Sequence, residues 1–298
     1  MSDLTALTFI YNESLTNMQP SNFHSHCIFC DGRSYPEDYI KFALSANFRA
    51  YGFSSHSPLP FETCWNMSAA DMPAYLNEIA RLKEKYKDRI EIYTGLEIDC
   101  LDETYNASIP YFQELPLDYR ISSIHFIPWR QPLLEANMTC IDGSYSDFHT
   151  AIEERYRGNI RAVVADYYHS SMRMVESGGF DIVGHMDKIY MNAGRHPDFD
   201  READWYGRLL EEYIRLIAEK ALIVEINTKN YLRKQQTFPH LSLFSLLKKY
   251  QIPVMVNTDS HFPELIHAGR TDVLQLLKAA GYRTTRELVN GKWEDIEI

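Results

Sequence analysis

Short apolar runs alternate with amphipathic stretches along the chain from residue 21 onward. Seven of these runs have the length and composition of strands, and they cover residues 23–27, 50–56, 90–98, 119–127, 180–185, 221–228 and 252–261. Between them, apolar residues at helical spacing predict helices over residues 36–46, 68–86, 103–112, 202–220 and 264–280, and one or two helices over residues 147–177. This alternation predicts an α/β fold with a parallel sheet, either open or closed into a barrel.

Local signals mark the starts of two predicted helices and one long loop. Pro36 suits a first helical turn, with Ser34 as a possible cap. Ser68 and Asp71 form a variant of the capping box that opens the next helix. Residues 128–144 predict a long loop, a feature that often serves as a lid.

Most of the predicted strands end in a residue that can bind a metal. Six of the seven runs carry His, Glu or Asp at or near their C-terminal end, and the remaining run carries Asn there. In a barrel the C-terminal ends of all strands meet at one face, whereas an open sheet would spread them along an edge. We therefore favour a barrel whose C-terminal face collects nine candidate ligands, namely His24, His26, Asp31, His56, Glu97, His125, His185, Asp259 and His261.

The number and type of these residues indicate more than one metal ion. Two residues apart in an extended strand, His24 and His26 share one face. Each candidate taken alone is as consistent with a structural or solvated side chain, but together nine ligands fit two or three ions that share a carboxylate. A mixture of imidazole and carboxylate favours Zn, Fe or Mn over Ca or Mg.

Composition limits the partners and the compartment. The formal net charge of −11 over 298 residues argues against nucleic acid as the main partner, although bound cations would make an anionic substrate acceptable. No apolar run approaches the roughly 18 residues of a membrane helix, no signal-peptide pattern opens the chain, and five scattered cysteines suggest no disulfide framework. We expect a cytoplasmic protein with an N-terminal extension over residues 1–20 and a single barrel domain over residues 21–298. Its oligomeric state is left open.

The metal-ligand motifs resemble those of the PHP family (polymerase and histidinol phosphatase) over residues 21–282. They occur in the order of that family, as His24-Ser25-His26, Asp31-Gly32, Ser55-His56-Ser57, Gly95-Leu96-Glu97, Ser122-Ser123-Ile124-His125-Phe126, Gly184-His185 and Thr258-Asp259-Ser260-His261. The resemblance implies a distorted (β/α)7, TIM-like barrel with a site for three divalent ions.

The same resemblance implies a ligand set for each ion. The first ion would take His24, His26, Glu97 and Asp259. The second would take the bridging Glu97 with His125 and His185, and the third would take Asp31, His56 and His261. Some members of the family have histidine where this chain has Asp31, so the third ion's identity and occupancy stay open.

Within the family the chain resembles the histidinol-phosphate phosphatase branch. This implies a metal-dependent phosphomonoesterase that converts L-histidinol phosphate to L-histidinol and phosphate in histidine biosynthesis. Our hypothesis is that a hydroxide bridging the metals attacks phosphorus in line. We expect Asp259, His261 and His240 to act in catalysis, and Arg195, Arg233 and His240 to bind the substrate from loops on the same face.

Three other interpretations remain. In the first, the same site acts on nucleotides or the ends of nucleic acids. In the second, the domain binds metals without catalysis. A metal-dependent amidohydrolase is a rival at the level of fold, but those barrels typically bridge metals through lysine, and the bridging position here is Glu97.

Overall fold

The computed structural model describes residues 19–298. Residues 1–18 of the predicted N-terminal extension lie outside the described residues, so the domain division at residue 20 stays a prediction. No helix of the described residues is long and apolar enough to cross a membrane. The strands, in chain order, are β1 (Ser21–Asn22), β2 (Ala50–Phe53), β3 (Glu91–Asp99), β4 (Tyr119–Ser123), β5 (Phe126–Pro128), β6 (Met138–Cys140), β7 (Ile182–Val183), β8 (Ile223–Asn227), β9 (Val254–Asn257), β10 (Thr284–Val289) and β11 (Lys292–Glu297).

Helices follow most of these strands along the chain. They are α1 (Pro36–Ser45), α2 (Met72–Tyr86), α3 (Pro110–Gln113), α4 (Tyr145–Tyr156), α5 (Ile160–Ser177), α6 (Tyr190–Ala193), α7 (Asp204–Glu219), α8 (Tyr231–Lys234), α9 (Phe244–Lys249) and α10 (Arg270–Ala279). Short 3₁₀ helices lie at Glu135–Asn137, Leu241–Leu243 and Pro263–Leu265.

Seven parallel strands form the predicted barrel. Their order is β1-β2-β3-β4-β7-β8-β9, and each neighbouring pair is parallel. A parallel bridge between Ser25 and Ser260 brings the first and last strands together, with the His26 amide donating to the Ser260 carbonyl at 2.9 Å. The sheet is therefore a nearly closed (β/α)7 barrel, and the predicted fold is confirmed.

Amphipathic helices bury their apolar faces against the outside of the barrel. Helix α7 shows the pattern most clearly, because its buried residues recur three and four positions apart as Tyr206, Leu209, Leu210, Tyr213, Ile214 and Ile217. The opposite face carries the charged residues, so the order of apolar and charged residues determines which face of α7 packs against the barrel.

A large tyrosine fills the barrel interior below the strand ends. Tyr119 on β4 is fully buried, and its hydroxyl donates to the Phe23 carbonyl at 2.6 Å. A Cβ atom added at Gly52 would lie 2.4 Å from the Tyr119 hydroxyl, and one at Gly95 would lie 2.4 Å from its ring. The two glycines therefore make room for the ring that closes the barrel below the polar end.

A C-terminal hairpin, which the sequence did not lead us to expect, covers the N-terminal end of the barrel. Strands β10 and β11 pair antiparallel, and Leu288 packs inside the barrel. Arg49, just before β2, donates to the Leu288 carbonyl at 2.9 Å, and the Asn290 amide donates to Glu91 at 2.7 Å. The C-terminal end of the barrel is left free for the polar residues.

Several predicted element boundaries are wrong. The helix expected over residues 103–112 is mostly loop, since Asp102 and Asn106 each accept a hydrogen bond from a backbone amide two residues further on. Side chains of this kind compete with helical hydrogen bonding. Ser68 and Asp71 do not form a capping box: Asp71 makes no capping bond, and the Ser68 hydroxyl accepts from the Ala70 amide.

Three further regions also differ from expectation. The predicted loop over residues 128–144 contains most of the short antiparallel hairpin of β5 and β6. The helix predicted over residues 264–280 divides into a 3₁₀ turn and α10, separated at Gly269, which adopts φ +71°. Ser34 binds the Asp38 side chain and does not cap α1, which begins after Tyr35.

Candidate metal centre

The nine predicted ligands converge at the C-terminal end of the barrel. His24 and His26 flank the bridge that joins the first and last strands, and Glu97 lies within β3. Asp259 follows β9 with φ +48°, a left-handed conformation that is uncommon outside glycine. The barrel thus gathers side chains that are far apart in sequence.

Glu97 occupies the middle of the cluster. Its Oε2 atom lies 3.2 Å from His24 Nε2, 3.6 Å from His26 Nε2 and 2.9 Å from His56 Nδ1. Its Oε1 atom lies 3.5 Å from His125 Nε2 and 2.9 Å from His185 Nε2. One carboxylate therefore stands between two groups of imidazoles, as a bridging ligand requires.

Asp31 and Asp259 extend the cluster on its exposed side. Asp259 Oδ1 lies 3.1 Å from His26 Nε2. Asp31 Oδ2 lies 3.2 Å from His261 Nε2, and Asp31 Oδ1 lies 3.8 Å from His56 Nε2. These contacts bring the residues predicted for the third ion next to those predicted for the first.

The donor atoms are suited to cations. Three groups have ligand atoms within 4.8 Å of one another: His26, Asp31, His56 and His261; His24, His26 and Glu97; and His56, Glu97 and His125. Several of these atoms are buried without a hydrogen-bond partner, namely His24 Nε2, His26 Nε2, Asp31 Oδ1, His56 Nδ1 and Glu97 Oε2. Because unpaired buried polar atoms are costly, this crowding fits residues that bind metal ions.

The grouping differs in detail from the sets that the resemblance implies. His26 joins Asp31, His56 and His261, and His56 takes the place expected for His185 beside Glu97 and His125. His185 nevertheless contacts Glu97, so all nine residues belong to one cluster.

Electrostatics hold the central carboxylates in their ligand form. Burial alone would raise the pKa of Glu97, but the nearby His24, His125 and His56 hold it well below its usual range. Burial, together with the charges of His56 and His261, keeps the pKa of His26 well below its usual value. An ionised carboxylate and a neutral imidazole are the forms that bind metals, so these shifts suit Glu97 and His26, whereas burial is outweighed by nearby carboxylates that raise the pKa of His24 and His125.

Glu225 on β8 supports the cluster from behind, a role that the sequence reading missed. It is fully buried, and its Oε1 atom lies 2.6 Å from His24 Nδ1. Its Oε2 atom accepts the His185 amide at 2.9 Å and the side-chain amide of Asn227, and its Oε1 atom also accepts the side-chain amide of Asn257. The signal was present in the sequence, because Glu225 and Asn227 lie two apart and so share one face of a strand.

Asp99 plays the same part for another imidazole. Its Oδ1 atom lies 3.0 Å from His125 Nδ1 and accepts the His125 amide at 3.2 Å. Asp99 stands two residues after Glu97 on β3, on the same face. Such carboxylates fix the orientation of a metal-binding imidazole and raise its basicity.

The predicted substrate-binding residues fall in different places. Arg233 lines a cavity of 350 Å³ with Arg33, Lys229, Asp259 and His261. The structure thus brings Arg233 next to the cluster, together with two cations that we had not considered.

Arg195 and His240 lie elsewhere on this face. The Arg195 guanidinium is exposed and stacks 4.2 Å above the Tyr145 ring. His240 contacts Arg201 at 3.0 Å and donates its amide to the buried Asp187, whose pKa burial raises to about 7. Among the described residues, no hydrogen bond or ion pair links either side chain to the nine predicted ligands.

The chain belongs to the PHP domain family, whose model matches residues 22–229. It is 23% identical over 271 residues to a probable histidinol-phosphatase of Deinococcus radiodurans, covering 88% of this chain and 94% of that one. It is also 26% identical over 270 residues to a histidinol-phosphatase of Lactococcus lactis, covering 88% and 90%.

Solved structures show the same fold. A histidinol phosphatase candidate from Listeria monocytogenes superimposes with a TM-score of 0.75 at 20% identity, covering 85% of this chain and 99% of that one. A histidinol phosphate phosphatase from Lactococcus lactis, solved with Zn, L-histidinol and phosphate, gives a TM-score of 0.69 at 21% identity, covering 93% and 99%.

Proposed function

We propose that this chain is a metal-dependent phosphomonoesterase that hydrolyses L-histidinol phosphate to L-histidinol and phosphate. The observation that carries the proposal is the cluster of nine buried or half-buried ligands around Glu97. The names of the Deinococcus and Lactococcus relatives, and the Zn, L-histidinol and phosphate in the Lactococcus structure, support the choice of substrate.

Three ions would divide the cluster among them. His24, His26, Glu97 and Asp259 would hold the first, and Glu97, His125 and His185 the second. Asp31, His56 and His261 would hold the third, with His26 close enough to contribute. The donor set suits Zn, Fe or Mn, and such ions supply an activated water and offset negative charge on a phosphoryl group.

The protein's own residues would position the reactants. Glu225 and Asp99 hold the imidazoles of His24 and His125 in fixed orientations. Arg33, Lys229 and Arg233 supply positive charge along one wall of the cavity, where phosphoryl oxygens would bind. Asp259 and His261 line the same cavity, which suits a role in orienting the substrate and protonating the leaving alcohol.

Four parts of the proposal rest on sequence alone. These are binding of the substrate by Arg195 and His240, proton donation by His240, location in the cytoplasm, and the absence of a nucleic-acid partner. Arg195 and His240 follow β7 and β8 in the chain, and we propose that they bind the substrate from loops at the end of the barrel that carries the cluster.

Phosphate release from a substrate panel tests the activity. The protein is stripped with a chelator, reloaded with Zn, Mn or Fe, and given L-histidinol phosphate, an aryl phosphate, a nucleotide and a short single-stranded DNA. We expect kcat/KM for L-histidinol phosphate to exceed the others by orders of magnitude, and Glu97→Gln to abolish the activity, with the exposed Glu219→Gln as the matched control.

The other outcomes assign the site differently. A higher kcat/KM for the nucleotide or the DNA would support the metal-dependent hydrolysis but reject L-histidinol phosphate as the substrate. Absence of turnover with every metal, in protein that binds those metals, would favour a binding module without catalysis.

A further inference from the structure

One lysine reaches into the candidate metal centre. Lys229 Nζ lies 3.0 Å from Asp259 Oδ1 and 3.4 Å from His261 Nε2. Both partners are predicted metal ligands. Among the described residues, no other lysine or arginine forms an ion pair with the nine predicted ligands.

The ammonium group and a third ion would compete for one atom, His261 Nε2. His261 Nε2 lies 3.2 Å from Asp31 Oδ2, and these two side chains belong to the third ligand group. The nitrogen has one lone pair, which either accepts a hydrogen bond from the ammonium or binds a metal. Two cations at this distance also repel each other.

The backbone around Lys229 holds the side chain at the rim of the site. The Lys229 amide donates to Asn227 Oδ1 at 3.0 Å, and the preceding Thr228 is bonded to both Asn257 and Ala268. The side chain is 37% exposed and lines the open cavity, while its ammonium group contacts the cluster. A fixed backbone with a long, partly free side chain suits a group that moves aside when an ion arrives.

The second ligand group has no such neighbour within the described part of the chain, and the first meets Lys229 only through Asp259, one of its four predicted ligands. His24, Glu97 and His125 receive their outer contacts from carboxylates, hydroxyl groups and amides, such as Glu225, Asp99 and Ser123. Those contacts favour a bound cation, whereas the contact of Lys229 opposes one.

We infer that Lys229 is a built-in competitor for the third metal site, so that this chain holds two ions tightly and a third one weakly. The inference rests on the proposed metal centre. It concerns the unequal affinity of the sites, which the proposed function leaves open.

Zinc titration of the chelator-stripped full chain tests this directly. Stoichiometry and affinity are measured by calorimetry and by competition with a chromophoric chelator, without any assay of activity. We expect two tight sites and one weak site in the unaltered protein. In Lys229→Met and Lys229→Gln we expect the third site to tighten by roughly 10-fold or more, the scale of changes beside metal ligands.

Two variants serve as controls. Lys229→Arg keeps the positive charge and should leave the third site weak. Lys234→Met removes an exposed lysine on α8 and should leave all three affinities unchanged.

Other results would overturn the inference. A third site that is equally strong, or weaker, in folded Lys229→Met and Lys229→Gln would exclude competition by the ammonium. Equal zinc affinities of three sites in the unaltered protein would also exclude competition by the ammonium of Lys229. Absence of zinc binding in every variant would reject the metal centre itself, and the inference with it, whereas normal binding without phosphate release would reject only the proposed function.

Discussion

At the scale of single residues, the buried carboxylate of Glu225 decides how His24 faces the cluster. The Oε1 atom of Glu225 lies 2.6 Å from His24 Nδ1. This contact leaves the other ring nitrogen of His24, Nε2, facing Glu97. Two asparagine amides hold the carboxylate in place. The residue is therefore a positioning residue, since it touches the ligand and not the ion or the substrate.

Replacing Glu225 with Gln should weaken metal binding without unfolding the barrel. The amide keeps the shape but loses the charge that orients the imidazole and raises its basicity, so we expect metal affinity to fall roughly 10- to 100-fold. Metal content after dialysis against graded chelator measures this. Loss of metal in the exposed control Glu219→Gln, or unchanged metal content in Glu225→Gln, would contradict the assignment.

The sequence predicted the residues of the cluster better than the residues that support them. His56, Glu97 and His125 end apolar runs, and in a barrel the C-terminal ends of strands meet, so their convergence followed from pattern alone. Glu225 and Asp99 lie within or near the ends of the same runs. Their role depends on which face of the strand they occupy and on which imidazole comes within reach, and those distances exist only in the folded barrel.

At the scale of elements, the barrel depends on close packing between Tyr119 and two strands that carry glycine. Gly52→Ala should place a methyl group 2.4 Å from the Tyr119 hydroxyl, which forces the ring or a strand to move. We expect a loss of about 1–3 kcal/mol in the free energy of unfolding, the usual cost of overpacking. Denaturant unfolding of the metal-free protein measures it.

A second glycine gives the matched control for this substitution. Gly207 lies in α7 with open space around it, so Gly207→Ala should be neutral or stabilise by up to about 1 kcal/mol. Adding Tyr119→Phe to Gly52→Ala removes the nearest atom and should recover part of the loss. Equal stability of Gly52→Ala and the unaltered protein would show that β2 or the Tyr119 ring moves to admit the methyl group without a loss of free energy.

Element types were predictable from the sequence where the periodicity was strong, and boundaries were not. Helix α7 lies within its predicted range because its apolar residues repeat without interruption. The helix expected over residues 103–112 failed because Asp102 and Asn106 bind local amides. The C-terminal hairpin was missed although Asn290-Gly291 is a local signal for a hairpin turn. Its docking on the barrel could not be predicted, because its hydrogen bonds to Arg49 and Glu91 join residues about 200 or more positions apart in the sequence.

At the scale of the whole molecule, the two ends of the barrel bury charge in different ways. The C-terminal end gathers histidines and carboxylates that suit metal ions. The N-terminal end is covered by the C-terminal hairpin, where Glu287 pairs with Arg270 at 2.9 Å and with Arg49 at 2.8 Å. Glu287 and Arg270 are buried, so this group links the hairpin, α10 and β2 into one unit.

The charge of Glu287 should make this closure sensitive to acid. Burial alone would raise the pKa of Glu287, but Arg270 and Arg49 outweigh it and hold that pKa below its usual value. A carboxyl group with a lowered pKa in the folded state stabilises the fold above its unfolded pKa of about 4.3. That contribution is lost as the pH falls through the lowered value.

Glu287→Gln should therefore destabilise the protein most at neutral pH. Two guanidinium groups would lose their buried partner, at a cost of about 3 kcal/mol in the free energy of unfolding. Denaturant unfolding of the metal-free protein from pH 7 to pH 3 should show the gap to the unaltered protein shrinking below about pH 4. There the Glu287 carboxylate gains a proton in the unfolded chain, whereas in the folded protein it stays ionised until the pH reaches its lowered pKa. Glu297→Gln, exposed on the same hairpin and opposite Thr284 in the strand pairing, should leave both the stability and its pH dependence unchanged. A gap that stays constant with pH would mean that shape, and not charge, holds the hairpin on the barrel.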